Sequence, residues 1–105
     1  MRETKQIRRI RDMEAKMDEA RAVLERFSAA ASAYAQIQDT MAELEEYYAG
    51  DWMKDYEADE AGKLPADLKR GILSEDALFD LLEDNRLAAS DVLYTFAQLV
   101  SQGML

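Results

Sequence analysis

Apolar and small side chains recur every three or four residues through the first half of the chain. This apolar stripe consists of Ile10, Met13, Met17, Ala20, Leu24, Phe27, Ala31, Tyr34, Ile37, Met41, Leu44 and Tyr48. Steps of three and four alternate almost throughout, which is typical of a helix that packs against another helix. No Gly or Pro lies between Thr4 and Ala49. The pattern predicts one α-helix over about residues 4–49, with a hairpin that turns near Ser28–Ser32 as the alternative.

The predicted length of this helix affects how its stripe is covered. A helix of this span is about 68 Å long at ~1.5 Å per residue, whereas a compact domain of this size has a radius of gyration near ~13 Å. We therefore expect the stripe to be covered by the C-terminal helix, by a second copy of the chain, or by both.

Glycine and aspartate residues mark the end of the long helix and a short helix after it. Gly50 is predicted to adopt the left-handed conformation that often ends a helix. Asp51 is predicted to cap a short helix over about residues 51–61, which Gly62 ends.

Two further capping signals follow. Pro65 and Gly71 bracket a sequence that predicts a short, capped turn over residues 65–70. Ser74 is predicted to cap a final helix over about residues 74–102. The apolar seam of that helix comprises Leu78, Leu82, Asn85, Ala89, Val92, Phe96 and Leu99. Together these patterns predict an all-α fold, with residues 1–105 forming a single helical domain with bundle-like or coiled-coil-like packing.

The residue types that carry most enzyme chemistry are missing. The chain has no Cys and no His, which removes thiol chemistry, the commonest general base and the commonest transition-metal ligand. No Gly-rich phosphate loop is present, and the serines have no evident catalytic partner. We therefore predict a protein that is not an enzyme, with no catalytic, metal-binding or cofactor-binding residue and no cofactor. Met1 is followed by charged residues rather than an apolar signal region, so we expect a cytoplasmic protein without a membrane partner.

Charge is distributed unevenly along the chain. Residues 1–26 carry eight Lys/Arg and six Asp/Glu, a net of +2, whereas residues 27–105 carry five and sixteen, a net of −11. The acidic body disfavours polyanionic partners such as nucleic acid. The basic N-terminal cluster leaves open a nucleic-acid-associated alternative, although a solvated helix face is the favoured interpretation. Its members are Arg2, Lys5, Arg8, Arg9 and Arg11.

An acidic cluster lies in the middle of the chain. The alternation of Asp55, Glu57 and Asp59 imitates the first ligands of a calcium-binding EF-hand loop, but the sixth position is Glu60 rather than Gly and the twelfth is Ala66 rather than Glu. Solvated helix charges explain this segment better. A metal-dependent or enzymatic protein that uses Asp55–Glu60 remains the alternative function.

An aromatic cluster, defined as Tyr47, Tyr48, Trp52 and Tyr56, surrounds the first predicted turn. It has two interpretations: a core plug, because large aromatic side chains dominate burial, or a partner-binding patch, because Tyr and Trp are enriched at binding hot spots. In the second interpretation Lys69 and Arg70 form a charged rim, unless they pair with Asp55 and Asp59. The candidate partner-binding residues are Tyr47, Tyr48, Trp52, Tyr56, Leu64, Pro65, Lys69 and Arg70.

Residues 55–78 read DYEADEAGKLPADLKRGILSEDAL. This run resembles the signature of a family of small bacterial proteins that is classified as a domain of unknown function. Met13-Glu14-Ala15 and Glu46-Tyr47-Tyr48 are also similar to that family, and the resemblance covers most of residues 7–87. The resemblance implies a bacterial cytoplasmic origin, and it brings no catalytic assignment because the function of the family is unknown.

These observations favour a helical scaffold or adaptor that acts through helix–helix association, with a homodimer as the expected assembly. In this interpretation Asp51–Gly71 sets the angle between the long helices and presents a surface to an unidentified protein partner.

Overall fold

The structure is a computed structural model, and it describes residues 2–105. This part of the chain contains three α-helices: α1 (Lys5–Ala49), α2 (Trp52–Glu60) and α3 (Ala77–Ser101). A 3-10 helix (Gly71–Leu73) lies between α2 and α3, and no strand occurs among residues 2–105. The predicted all-α fold is therefore confirmed.

Helix α1 is continuous through residues 28–32, so the hairpin alternative is wrong. Thr4 caps its first turn, because the Thr4 hydroxyl accepts a hydrogen bond of 3.1 Å from the Ile7 backbone N–H. Alanines around Ser28 and Ser32 favour helix strongly enough that the two serines do not interrupt it.

The connection between α1 and α2 differs from the prediction. Gly50 does not adopt a left-handed conformation, since among residues 2–105 only Gly62 and Gly103 have positive φ. Instead its N–H donates to the Tyr47 carbonyl at 3.1 Å, and Asp51 keeps a helical backbone with no side-chain cap hydrogen bond. A Cβ on Gly50 would lie 3.2 Å from the Glu46 carbonyl oxygen. The predicted caps are therefore wrong here, because a tight, nearly helical turn joins the two helices.

Helix α2 ends where the sequence predicts, with a left-handed glycine. Gly62 has φ +69°, its N–H donates to the Asp59 carbonyl, and the Lys63 N–H donates to the Ala58 carbonyl, both at 3.0 Å. This pair of hydrogen bonds is the Schellman motif, which satisfies carbonyls that the helix end leaves unpaired.

The segment before α3 also departs from its prediction. A turn does form at Pro65, whose carbonyl accepts the Leu68 N–H at 3.2 Å, but Gly71 begins the 3-10 helix instead of ending a capped turn. Ser74 does not cap α3. Its hydroxyl donates back to the Gly71 carbonyl at 2.9 Å, and α3 begins only after Asp76. The hydroxyl closes the preceding 3-10 helix because residue 74 is extended.

The chain divides into two compact units, one up to Asp39 and one from Thr40 onward. The second unit holds a small core in which Trp52, Leu73 and Leu78 are 7%, 6% and 3% exposed. Partly buried side chains pack against this core: Leu44, Tyr47, Tyr48, Tyr56, Leu64 and Leu82. In the first unit, nearly every described residue is exposed. Within residues 2–105, no helix combines the length and apolar character that crossing a bilayer requires.

Candidate functional site

Three members of the aromatic cluster, Tyr48, Trp52 and Tyr56, form one continuous stack across the junction of α1 and α2. The Tyr48 and Trp52 ring centroids are 5.2 Å apart and tilted by 60°, and those of Trp52 and Tyr56 are 5.1 Å apart and nearly parallel. The i, i+4 spacing places these three rings on one face because the backbone stays nearly helical through Gly50 and Asp51. The turn therefore preserves the aromatic face.

Trp52 is the anchor of this stack. Its indole N–H donates to the Ile72 carbonyl at 2.8 Å, and its ring packs with Leu73 and Leu78 in the core. A buried indole needs a partner for its polar N–H as well as apolar contacts for its ring, and both are present. The structure therefore places Trp52 in the core, as the first interpretation of the aromatic cluster expects.

Tyr47 and Tyr56 are half-buried, and their hydroxyls donate hydrogen bonds to the carboxylates of Asp55 and Glu75. The Tyr47 hydroxyl donates to Asp55 Oδ2 at 2.6 Å, and this hydrogen bond, together with burial and the charges of Asp55 and Asp51, raises the pKa of Tyr47 to about 12. The charge of Glu60, followed by burial and Glu75, raises the pKa of Tyr56. Both phenols are thus protonated hydrogen-bond donors at neutral pH, not nucleophiles or bases.

Arg70 braces the loop that follows α2. Its Nη1 lies 2.5 Å from Asp59 Oδ1, its Nη2 donates to the Pro65 carbonyl, and its Nε donates to the Leu68 carbonyl at 3.3 Å. One guanidinium thus joins the end of α2 to the loop, which a planar group with five donors suits well. The ion pair with Asp59, one of the predicted possibilities, is present.

The other candidate partner-binding residues lie around this braced loop. Leu64 is half-buried against the core, while Pro65 and Lys69 are exposed. The structure therefore brings the tyrosines, Leu64 and Arg70 together around the core, with Pro65 and Lys69 at the solvent-exposed part of the loop.

The acidic cluster does not converge. Asp55 accepts from Tyr47, Asp59 pairs with Arg70, and among residues 2–105 no group of three or more acidic side chains is arranged to hold a metal ion. A separate open depression is lined by Glu43, Glu46, Tyr47, Gly50 and Asp51. Its carboxylates give it an acidic character.

Sequence reasoning missed two contributors to this region. The Ile72 carbonyl is the partner of Trp52, and Asp55 is the acceptor for Tyr47 eight residues earlier. A backbone carbonyl carries no side-chain signature, and a spacing of eight residues across a turn is not a helical neighbour relation. Only the run of apolar residues at Ile72–Leu73 could have indicated that this segment returns to the core.

A second candidate surface lies on α1. We define the N-terminal seam as Ile10, Met13, Met17, Ala20 and Leu24. All five residues are exposed, and the four large side chains range from 41% exposed at Met17 to 64% at Leu24. Charged residues flank the seam, including Arg9, Glu14, Lys16 and Arg21. An apolar stripe bordered by charges is suited to binding another helix.

Comparison with known proteins identifies a family that matches most of the chain. A family model described as a domain of unknown function (DUF4298) matches residues 10–95, which span the N-terminal seam, the aromatic cluster and most of α3. No similar protein was found among curated proteins or among solved structures. Because the match covers most of the sequence, the chain belongs to the DUF4298 family of unknown function.

Proposed function

We propose that this protein is a non-enzymatic helical scaffold or adaptor that works through helix–helix association, as a homodimer in the bacterial cytoplasm. The observation that supports this proposal is the exposure of the N-terminal seam. Ile10, Met13 and Leu24 are each about half exposed or more, although their spacing is that of a helix–helix contact.

The regularity of the seam favours a helix as its partner. From Ile10 to Leu24 the steps alternate strictly between three and four residues, so the repeat averages 3.5 residues. That period keeps one stripe facing a neighbouring helix along its whole length. A contiguous exposed apolar stripe also marks an interaction surface more strongly than scattered apolar residues do.

The second unit supports an adaptor role in a different way. The aromatic cluster and Arg70 hold the α1–α2 turn and the following loop in one conformation. Pro65 and Lys69 are exposed on this loop, and a rigid loop loses little conformational entropy when it binds. This surface is our proposed site for a protein partner, and the absence of His and Cys from the chain supports a role without catalysis.

Light scattering after size exclusion tests the association. We expect the wild-type protein to have the mass of two chains at micromolar concentration, and Leu24→Glu to have the mass of one, because a carboxylate would be buried without a partner. Ala22→Glu is the matched control, since it adds the same charge to α1 away from the seam. Circular dichroism should show that both variants remain helical.

Two outcomes contradict the proposal. One is a wild-type protein that is monomeric throughout the micromolar range. The other is a Leu24→Glu variant that dimerises as strongly as Ala22→Glu.

A further inference from the structure

The positions that flank the N-terminal seam carry charges that distinguish one pairing of two helices from another. In heptad notation Ile10, Met17 and Leu24 occupy position a, while Met13 and Ala20 occupy position d. The flanking e positions are Glu14 and Arg21, and the flanking g positions are Arg9, Lys16 and Val23. All of these residues are exposed, so the charges are available to a second helix.

A parallel pairing of two copies is poorly matched. Each g residue would then lie beside the e residue five positions later on the other helix. The Arg9–Glu14 attraction and the Lys16–Arg21 repulsion would each occur twice, so that the flanking charges would give no net attraction. Ala20 would also face Ala20, which leaves the middle of the contact thinly packed.

An antiparallel pairing centred between Asp18 and Glu19 is well matched. Met17 then lies opposite Ala20 of the second copy, so that a large side chain meets a small one, and Met13 lies opposite Leu24 of the second copy. In antiparallel helices each e position lies beside an e position of the partner, and each g position beside a g position. Glu14 therefore meets Arg21 of the second copy, and this attraction occurs twice.

The g positions, and the two alternative alignments nearest to this one, also favour an antiparallel pair centred between Asp18 and Glu19. Lys16 meets Val23 of the second copy, where its alkyl stem covers apolar surface while the ammonium group stays in water. Moving the centre by half a heptad to Ala15 would place Glu14 against Glu14 and Lys16 against Lys16. Moving it the other way to Ala22 would place Arg21 against Arg21. One register thus avoids close like-charge pairs and gains two opposite-charge pairs.

We propose that two copies of this chain associate through the N-terminal seam in this antiparallel register. The inference rests on the proposed homodimer and adds its orientation and alignment.

Reversal of one charge separates the two orientations. Arg21→Glu turns both Glu14–Arg21 attractions into repulsions in the antiparallel pair, so we expect a dissociation constant about tenfold higher by sedimentation equilibrium. In a parallel pair the same change would replace the Lys16–Arg21 repulsion with an attraction and tighten binding. The double variant Glu14→Arg/Arg21→Glu restores the antiparallel attractions and should return the dissociation constant to near the wild-type value.

Disulfide trapping tests the register directly, because the chain has no cysteine of its own. Equal amounts of Met13→Cys and Leu24→Cys chains are mixed and oxidised. The antiparallel register brings positions 13 and 24 within disulfide distance and keeps two copies of position 13 apart, so we expect a disulfide between unlike chains. A parallel pair would instead join two Met13→Cys chains.

The outcomes separate this inference from the homodimer proposal. A monomeric wild-type protein contradicts both. A dimer that tightens with Arg21→Glu, joins like chains, or forms no disulfide between positions 13 and 24 contradicts the antiparallel register alone.

Discussion

Residues 10–24 and residues 41–48 belong to the same helix and carry the same apolar repeat, yet their surroundings differ. Leu24 is 64% exposed, whereas Met41 is 9% exposed, and Leu44 packs against the core around Trp52. The apolar repeat therefore indicates only that each part of α1 is suited to packing against another helix. Which neighbour each part receives depends on where the chain turns back.

The two regions also differ in what stabilises them. The second unit has a core that joins residues far apart in sequence, through contacts such as Trp52 with Leu78 and the hydrogen bond from Trp52 to Ile72. The described residues of the first unit are held by helical hydrogen bonds and by short-range interactions such as the Arg11–Glu3 ion pair. Because an exposed helix gains little from propensity alone, we expect the first unit to depend on association and the second to be stable without it.

The largest effect is expected from truncation of the core anchor. Trp52→Ala removes the largest buried side chain and leaves the Ile72 carbonyl without its donor, so we expect the free energy of unfolding to fall by about 3–5 kcal/mol. Urea denaturation followed by circular dichroism measures this. Leu93→Ala, at an exposed position of α3, is the control and should cost less than about 0.5 kcal/mol. Equal losses for both variants would contradict a core centred on Trp52.

Removal of the loop brace should have a smaller effect. Arg70→Ala leaves the partly buried Asp59 carboxylate and the Pro65 carbonyl without this donor, which should lower the free energy of unfolding by about 2 kcal/mol. Lys69→Ala removes a neighbouring positive charge that is exposed and should be nearly neutral. If thermal melts show the same loss for the two variants, general charge rather than the guanidinium geometry stabilises the loop.

Dilution of the protein should affect amide exchange in the two regions differently, because only the first region is expected to depend on a second chain. We expect amide hydrogen exchange at residues 10–24 to accelerate at least tenfold as a dimer dissociates, which corresponds to about 1.4 kcal/mol of lost protection. Exchange at residues 52–60 should not change, because the core around Trp52 is formed within one chain. Mass spectrometry of peptides at high and low protein concentration measures both. If amide exchange accelerated equally in the two regions, they would open as one cooperative unit.

The smallest effect concerns the Tyr47 hydroxyl. Tyr47→Phe removes the hydrogen bond to Asp55 at the edge of the core, and we expect a loss of about 1 kcal/mol at neutral pH. The pKa of Tyr47 is raised to about 12 in the folded protein from 10.0, so between these values the folded state retains a proton that the unfolded state loses. The stabilisation is therefore complete below pH 10 and declines as pH rises toward 12.

Denaturation of both proteins across this pH range checks the assignment. The difference in unfolding free energy between wild type and Tyr47→Phe should shrink as pH rises from 10 to 12. A difference that stays constant would mean that the Tyr47 proton does not contribute through Asp55.

Elements whose signals are local were predictable. The absence of Gly and Pro between Thr4 and Ala49 predicted α1, and the structure begins it at Lys5 and ends it at Ala49. Gly62 ends α2 as predicted, because a left-handed position strongly favours glycine. Capping at Gly50 and Ser74 was predicted wrongly, since both residue types serve several kinds of turn and their surroundings select among them.

For the candidate partner-binding residues, the sequence predicted which side chains lie together more readily than it predicted what each side chain contacts. Trp52 and Tyr56 share a face because of their i, i+4 spacing, which the sequence shows directly. That Trp52 is buried, that Tyr47 binds Asp55 and that Arg70 binds Asp59 all depend on how the turn and the loop return to the core.

Periodicity and composition were thus sufficient for the helical class, the long continuous α1 and the apolar stripe, because these follow from spacing within a few residues. Burial of the stripe around Met41, exposure of the N-terminal seam and the assignment of Trp52 to the core required the folded chain. The physical reason is that burial depends on contacts between residues distant in sequence, and hydrophobic contact has no directional preference by which a stripe could specify its partner.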